Sequence, residues 1–223
     1  MKTIAAPERY VFAVLVVTQR WAPPALVLVG LITWVWLTPP VDIDTVHISL
    51  VVLFALAAWL GHTTGDSEEP ALELISTSSQ GSATRILIAK WSVAAVLAVA
   101  FPLLLLVAIC TYDSLLATAV PRFTTQQAVV AGLALLAIAA VGASLGVLVA
   151  RVLPGRLGWA ACILIIVSLA QAAPWMAPVP QLAATLPASG DPLPPTLLPT
   201  YGLVAIITAT LLTGARLLGR LVK

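Results

Sequence analysis

Six long apolar runs constrain this chain more than any other feature of its sequence. A helix needs roughly 20 apolar residues to cross a bilayer core of about 30 Å, and no Asp, Glu, Lys or Arg lies deep within any of the runs. The runs cover approximately residues 21–38, 46–62, 89–111, 126–150, 157–177 and 199–218. They predict an all-α polytopic membrane protein with six transmembrane helices, forming a single domain over residues 1–223.

The composition excludes the main soluble alternatives. Hydrophobic residues make up 61% of the chain and charged residues 9%, whereas a soluble domain carries roughly 25% charged residues. The net charge of +2 is small and the basic residues are scattered, so no nucleic acid is expected as a partner. Cys110 and Cys162 both fall in apolar runs, which favours small lipid- or core-facing side chains over a disulfide or a metal pair.

The basic residues divide unevenly between the two ends of the predicted spans. With the N-terminus in the cytoplasm, ten of the eleven Lys and Arg residues lie on the inner side, and only Arg122 lies outside. Cytoplasmic loops of membrane proteins show this excess. Trp residues also cluster near the span ends, where indole rings favour the headgroup region. The sequence therefore predicts that both termini are cytoplasmic, in a bacterial-type plasma membrane.

Two further segments flank the predicted spans. Residues 5–20 contain an apolar stretch too short to cross the bilayer, so we expect an interfacial helix on the inner leaflet; the alternative is that span one simply starts early. The outer loop, residues 174–199, holds eight of the 17 prolines. A continuous helix is excluded there, and either a structured cap over the outer mouth or an extended linker is expected.

The predicted cytoplasmic loop, residues 63–88, is the most polar part of the chain. It contains four of the nine acidic residues. Ser67 can cap a short helix with two glutamates in its first turn, and Leu72 and Ile75 then share one face. Such an amphipathic helix either rests on the membrane or docks into a groove of a partner protein.

Residues 72–90, LELISTSSQGSATRILIAK, resemble the loop between spans two and three of type-2 ABC transporter permeases, the membrane subunits of ATP-driven exporters. The Leu-Glu-Leu of residues 72–74 matches the family's Leu-Glu-x-Leu core, and residues 76–78 match its hydroxyl run. Arg85 and Lys90 match its basic pair, with shifted spacing. The six spans and the N-terminal interfacial helix extend the resemblance over the whole chain.

The resemblance also has departures. Pro70 stands where the family usually has Gly, the Pro after the hydroxyl run is missing, and Ala89 replaces the Gly that precedes the basic residue.

The resemblance implies that the loop is a coupling helix seated in a cleft of a separate ATPase subunit. The chain has no GxxxxGK[ST] sequence, so ATP and Mg are expected on the partner ATPase, and this chain is expected to be a transport subunit that binds no cofactor. A second permease, identical or related, is the other expected partner, within the lipid bilayer. The residues expected to contact the ATPase are Glu69, Leu72, Glu73, Leu74, Ile75 and Ser76.

The resemblance further implies a pathway lined mainly by spans two and five. The candidates are Ser49, Phe54, Trp59, Ser168 and Gln171. Their mostly apolar character suits a hydrophobic or amphipathic substrate, such as a drug, antibiotic, peptide or lipid-like molecule. Gln171 is equally explained as an interhelical hydrogen bonder. Gly142 and Gly146, in a small-xxx-small pattern on span four, favour packing within the chain over a dimer seam.

Three other functions compete with this interpretation. A haem-exporter-type ABC subunit of cytochrome c maturation has a similar length, with His47 as the one intraspan ligand candidate. A proton-coupled carrier needs ionisable groups inside its spans, and the sequence places none deep within them. An intramembrane protease needs buried Glu and His groups, whereas Glu68, Glu69, His62 and Asp66 are all expected in one hydrophilic loop.

Overall fold

The computed structural model describes residues 6–37, 43–66, 83–116, 125–173, 176, 178–186 and 197–221. All regular structure within these ranges is helical, which confirms the predicted all-α class. The helices are α1 (Ala6–Val17), α2 (Ala22–Leu37), α3 (Ile43–Gly65), α4 (Ala83–Leu116), α5 (Thr125–Val152), α6 (Leu157–Ala170), α7 (Val179–Ala183) and α8 (Leu197–Leu221).

Four of these helices, α3, α4, α5 and α8, are long and apolar enough to cross a membrane. Helices α1 and α2 meet the same criterion together, as a pair bent by 77°. Helix α6 is apolar but has 14 residues, so it rises only about 21 Å. The described ranges therefore contain four candidate spans, or five if the bent pair forms one, as expected of a multi-pass membrane protein.

Helix boundaries depart from the sequence prediction at the polar loop. Helix α3 continues to Gly65, so residues 63–65 are helical, although the sequence predicts loop. Helix α4 begins at Ala83, where the sequence predicts that Ser82 caps a helix carrying Arg85 and Lys90 into span three. The polar side chains are accommodated because their hydroxyls bond back to the helix: Thr64 Oγ1 donates to the carbonyl of Leu60 at 2.8 Å, and Thr63 Oγ1 donates to the same carbonyl at 3.1 Å.

The fifth run also ends earlier than predicted. Helix α6 stops at Ala170 instead of reaching residue 177. A turn follows, in which the amides of residues 171–173 bond to carbonyls three residues earlier, and Pro174 comes next in the chain. Proline restricts the residue before it and lacks an amide hydrogen, so a helix ends readily at this position.

A sharp bend separates α1 from α2. Gln19 has a φ of 53°, in the left-handed region that non-glycine residues seldom occupy. Pro23 and Pro24 then fall in the first turn of α2, where a missing amide hydrogen costs nothing. Val11 and Leu15 of α1 are buried, and α1 packs mainly on α4, so the bend folds α1 back against the bundle.

Helices α3 and α5 form the centre of the bundle. A Cβ at Gly142 would lie 2.6 Å from the carbonyl oxygen of Phe54, and one at Gly146 would overlap the carbonyl of Ala58. The two helices run parallel, because residue numbers increase in the same direction along both: Phe54 lies opposite Gly142, and Ala58 lies opposite Gly146. The small-xxx-small pattern thus packs within the chain, as the sequence predicts.

The other helices surround this pair unequally. Helices α4 and α6 cover different sides of α3: Ala57 packs with Ala94 and Ala98 of α4, while Ala58 packs with Ala160 of α6. Helix α8 lies against α5. In their most apolar 18-residue stretches, 67% of α3 and of α5 is buried, compared with 6% of α8. Most of α8 is therefore left for lipid or a partner to cover.

Candidate functional site

Four segments meet at the C-terminal end of α3, where the polar segment 67–82 leaves the described structure. The contacts there involve Arg20, Gly65, Asp66, Lys90 and Gly155. We call this set the Asp66 junction. It joins the α1–α2 turn, the end of α3, the first half of α4 and the α5–α6 turn.

Lys90 is the buried cation of the junction. Its side chain is fully buried, and its Nζ donates to the carbonyl oxygen of Gly65 at 3.2 Å. A buried ammonium group is costly unless polar groups replace its lost water. The last carbonyls of a helix lack intrahelical partners and carry partial negative charge. The end of α3 therefore offers Lys90 a suitable acceptor, and Lys90 fixes α4 to that end.

Asp66 connects the other two segments. Its carbonyl oxygen accepts a hydrogen bond from Arg20 Nη1 at 2.6 Å. Its side-chain Oδ1 accepts the backbone amide of Gly155 at 3.1 Å. Gly155 has a φ of 69°, a conformation that favours glycine, so the α5–α6 turn can present its amide to the carboxylate. One residue thereby holds two turns that are far apart in sequence.

His62 is buried one helical turn before Asp66. The ring has no measurable exposure, and neither Nδ1 nor Nε2 finds a hydrogen-bond partner in the described part of the chain. This position corrects the expectation that His62 lies in a hydrophilic loop: it belongs to α3, which extends three residues beyond it. Its backbone lies against Gly146 of α5, so the close approach of the two helices buries it.

The residues expected to contact the ATPase all fall in the segment 67–82, outside the described residues. They are Glu69, Leu72, Glu73, Leu74, Ile75 and Ser76. The structure describes the two ends of this segment, at Asp66 and Ala83, and the junction at its base. Lys90 of the expected basic pair belongs to that base, and it is buried.

The five candidate pathway residues lie mostly inside the chain. Ser49, Phe54, Ser168 and Gln171 are buried, and Trp59 is half-buried. The structure packs their helices, α3 and α6, against each other. Ser49 Oγ donates to the carbonyl of Thr45 at 2.7 Å, and Ser168 Oγ donates to that of Leu164 at 2.6 Å. Both hydroxyls are thus satisfied within their own helices.

Gln171 has a specific structural contact. Its Oε1 accepts the backbone amide of Val179 at 3.3 Å, in a buried position. Val179 begins the short helix α7, and Val179 and Leu182 belong to the main apolar core together with Phe54. Gln171 therefore holds α7 onto the end of α6, so the hydrogen-bonding explanation of this residue describes its position best, with α7 as the partner.

Sequence reasoning did not single out Arg20, Asp66 or Gly155 as a connected set. Two weak signals were available: the Gly-Asp pair that closes the apolar run of α3, and the Pro-Gly-Arg turn after α5. Neither indicates its partner. Among the residues the structure describes, no group of three or more His, Cys, Asp or Glu side chains is placed to hold a metal ion.

Comparison of the chain with protein-family models, curated proteins and solved structures returned no match.

Proposed function

We propose that the chain is the membrane-spanning permease subunit of an ATP-driven exporter, similar to type-2 ABC permeases, and that it moves a hydrophobic or amphipathic substrate out of the cytoplasm. The proposal has two supports. One is the resemblance of residues 72–90 to the family's coupling loop. The other is the Asp66 junction, which is the observation that carries the proposal.

A loop that transmits force must be anchored in a rigid part of the structure. The junction fixes the end of α3 to α4 through Lys90, to the α1–α2 turn through Arg20, and to the α5–α6 turn through Gly155. A displacement of residues 67–82 therefore acts on four segments together. This is the mechanical property expected of an element that converts ATPase closure into movement of membrane helices.

The same proposal includes six spans with both termini in the cytoplasm of a bacterial-type cell. In this topology α1 lies along the inner leaflet and the 77° bend leads into α2 as span one. Helix α6 crosses most of the bilayer as span five, and the following turn and α7 extend towards the outer surface. One crossing, α4, lies between α3 and α5, and two spans separated by a single crossing point the same way, in agreement with their parallel packing.

The partners in this proposal are ATPase subunits that bind ATP and Mg, and a second permease that is either a copy or a relative. The decisive experiment changes the apolar face of the polar segment. Leu72→Asp with Ile75→Asp is expected to release the ATPase in a detergent pull-down, because two aliphatic side chains contribute about 1.5–3 kcal/mol each when buried. The matched control is Ser79→Asp with Gln80→Asp, which adds the same charge nearby without removing an apolar group.

Membrane insertion should be unchanged in both double variants. If the Leu72/Ile75 variant retains the ATPase and transports normally, the segment is a membrane-surface helix and the coupling function is wrong. A genomic observation can be made before this experiment. A neighbouring reading frame that encodes a Walker sequence would support the proposal.

A haem-exporter-type function is the second candidate, and one observation favours it. His47 lies at the start of α3, half-buried, and its Nε2 has no hydrogen-bond partner among the described residues. An unengaged imidazole nitrogen is the ligand that haem iron uses in many proteins. Titration of the purified chain with haem should give a shifted Soret band, and His47→Ala should abolish that shift. An unchanged spectrum would exclude the haem-exporter function and leave the general exporter function.

A further inference from the structure

Two arginines and two tryptophans lie at the surface beside the Asp66 junction. Arg20 and Trp21 belong to the α1–α2 turn, and Arg156 and Trp159 belong to the start of α6. We call these four residues the Arg–Trp surface. The two turns are neighbours because Arg20 and Gly155 both bind Asp66, at 2.6 and 3.1 Å.

The arginines of this surface have unused hydrogen-bonding capacity. Arg156 is exposed, and its side chain makes no hydrogen bond or ion pair with any residue the structure describes. Arg20 is also exposed and uses Nη1 on the carbonyl of Asp66. The carboxylate of Asp66, the acidic side chain of the junction, accepts the amide of Gly155, and its single negative charge offsets one of the two arginine charges. The surface is therefore positively charged and suited to an anionic oxygen ligand.

The tryptophans indicate where this ligand lies. Trp21 is 43% exposed and Trp159 is 69% exposed. Trp21 directly precedes α2 and Trp159 lies in the first turn of α6, and the outer faces of both apolar helices have no protein cover in the described structure. Exposed indole rings at the ends of apolar helices occupy the headgroup region of a bilayer. Cations at this depth meet lipid phosphates.

We propose that the Arg–Trp surface binds the headgroup of an anionic phospholipid, with the guanidinium groups of Arg20 and Arg156 on the phosphate and the indoles of Trp21 and Trp159 at the glycerol level. The site does not depend on the exporter function, because it requires only that the chain lies in a membrane. Arg20 is shared between this surface and the Asp66 junction, through its bond to the carbonyl of Asp66.

The test uses the purified chain of residues 1–223 in neutral detergent, stripped of lipid and titrated with dioleoyl phosphatidylglycerol or dioleoyl phosphatidylcholine. Native mass spectrometry counts bound lipid. Phosphatidylglycerol should bind more tightly than phosphatidylcholine. Arg156→Gln should raise the apparent Kd for phosphatidylglycerol about fivefold, as expected for the loss of one surface cation. Arg156→Lys, which keeps the charge, should stay within about twofold of the wild type.

Arg216→Gln is the matched control. It removes an exposed arginine from α8 that takes part in none of the hydrogen bonds of the Asp66 junction, and it should leave the affinity unchanged. The proposal is overturned if Arg156→Gln binds like the wild type, if Arg216→Gln weakens binding as much, or if phosphatidylcholine binds equally well. Displacement of the lipid by inorganic phosphate at the same free concentration would identify a free-anion site instead.

Discussion

The ammonium nitrogen of Lys90 lies 3.2 Å from the carbonyl oxygen of Gly65, and both residues are buried. This contact joins α4 to the last residue of α3 across the polar segment 67–82. It places a charged group where the helix dipole of α3 is negative. The two helices that flank the polar segment are therefore bound to each other at its base.

Lys90→Met should destabilise the fold while preserving most of the side-chain volume. The buried carbonyl of Gly65 loses its cationic partner, which costs about 1–3 kcal/mol. Reversible unfolding in mixed detergent micelles, followed by tryptophan fluorescence, measures the loss. Arg216→Met removes an exposed cation from α8 and should leave stability unchanged; equal effects of the two changes would show that Lys90 contributes only net charge.

Gly146→Ala should weaken the contact between α3 and α5. The added methyl group would overlap the carbonyl of Ala58, and overpacking of this kind costs about 1–3 kcal/mol. Gly202→Ala in α8 is the control, since nothing lies within 4 Å of a Cβ there. The midpoint of thermal unfolding should fall for the first variant and stay or rise for the second. A tolerated Gly146→Leu would contradict the packing described here.

Trp91 and Ser144 should show a measurable interaction energy. Trp91 Nε1 donates to Ser144 Oγ at 3.0 Å between α4 and α5. A double-mutant cycle with Trp91→Phe and Ser144→Ala should give a coupling of about 0.6 kcal/mol, the average for hydrogen bonds between membrane helices. A coupling indistinguishable from zero would show that the bond has no net effect.

Gln171→Leu should loosen α7 without unfolding the bundle. The buried amide of Val179 loses its acceptor, so backbone protection in residues 179–183 should decrease. Hydrogen–deuterium exchange with mass spectrometry reports this directly. Gln126→Leu, at an exposed position near the start of α5, should leave exchange in α7 unchanged. Unaltered protection in the Gln171 variant would mean that the apolar contacts of Val179 and Leu182 hold α7 alone.

The proposed topology predicts opposite labelling of two positions in intact cells. Single cysteines at Ser79 and Ser189, in a background without Cys110 and Cys162, should react from the cytoplasmic and the outer side respectively. The background is tolerable because both native cysteines are exposed on the helix surface. Reaction of the Ser79→Cys variant with an impermeant external reagent would refute the six-span arrangement.

Local sequence patterns predicted the class of the fold and one of its principal contacts. Apolar runs identify membrane helices because the bilayer sets their length. The Gly142-xxx-Gly146 spacing predicted close packing within the chain, and Phe54 and Ala58 provide the opposing backbone. The partner helix could not be chosen from the pattern alone, since α3 and α4 both carry small residues.

The Asp66 junction could not be predicted because its bonds are long-range. Arg20 and Gly155 are 46 and 89 positions from Asp66, whereas periodicity reports only neighbours along one helix. The candidate pathway residues illustrate the opposite difficulty. A serine in an apolar run resembles a pathway group, yet Ser49 and Ser168 bond to their own helices, which leaves their role in transport a prediction.

The pairing of α3 with α5 has a consequence for how the protein is made. Helix α3 ends at Gly65 and α5 begins at Thr125, so roughly 60 residues are synthesised between them, which takes about 3–12 s at 5–20 residues per second. During this interval the face that carries Ala58 and His62 has no α5 to cover it. Until α5 emerges from the ribosome, that face of α3 therefore meets lipid, the insertion machinery or α4.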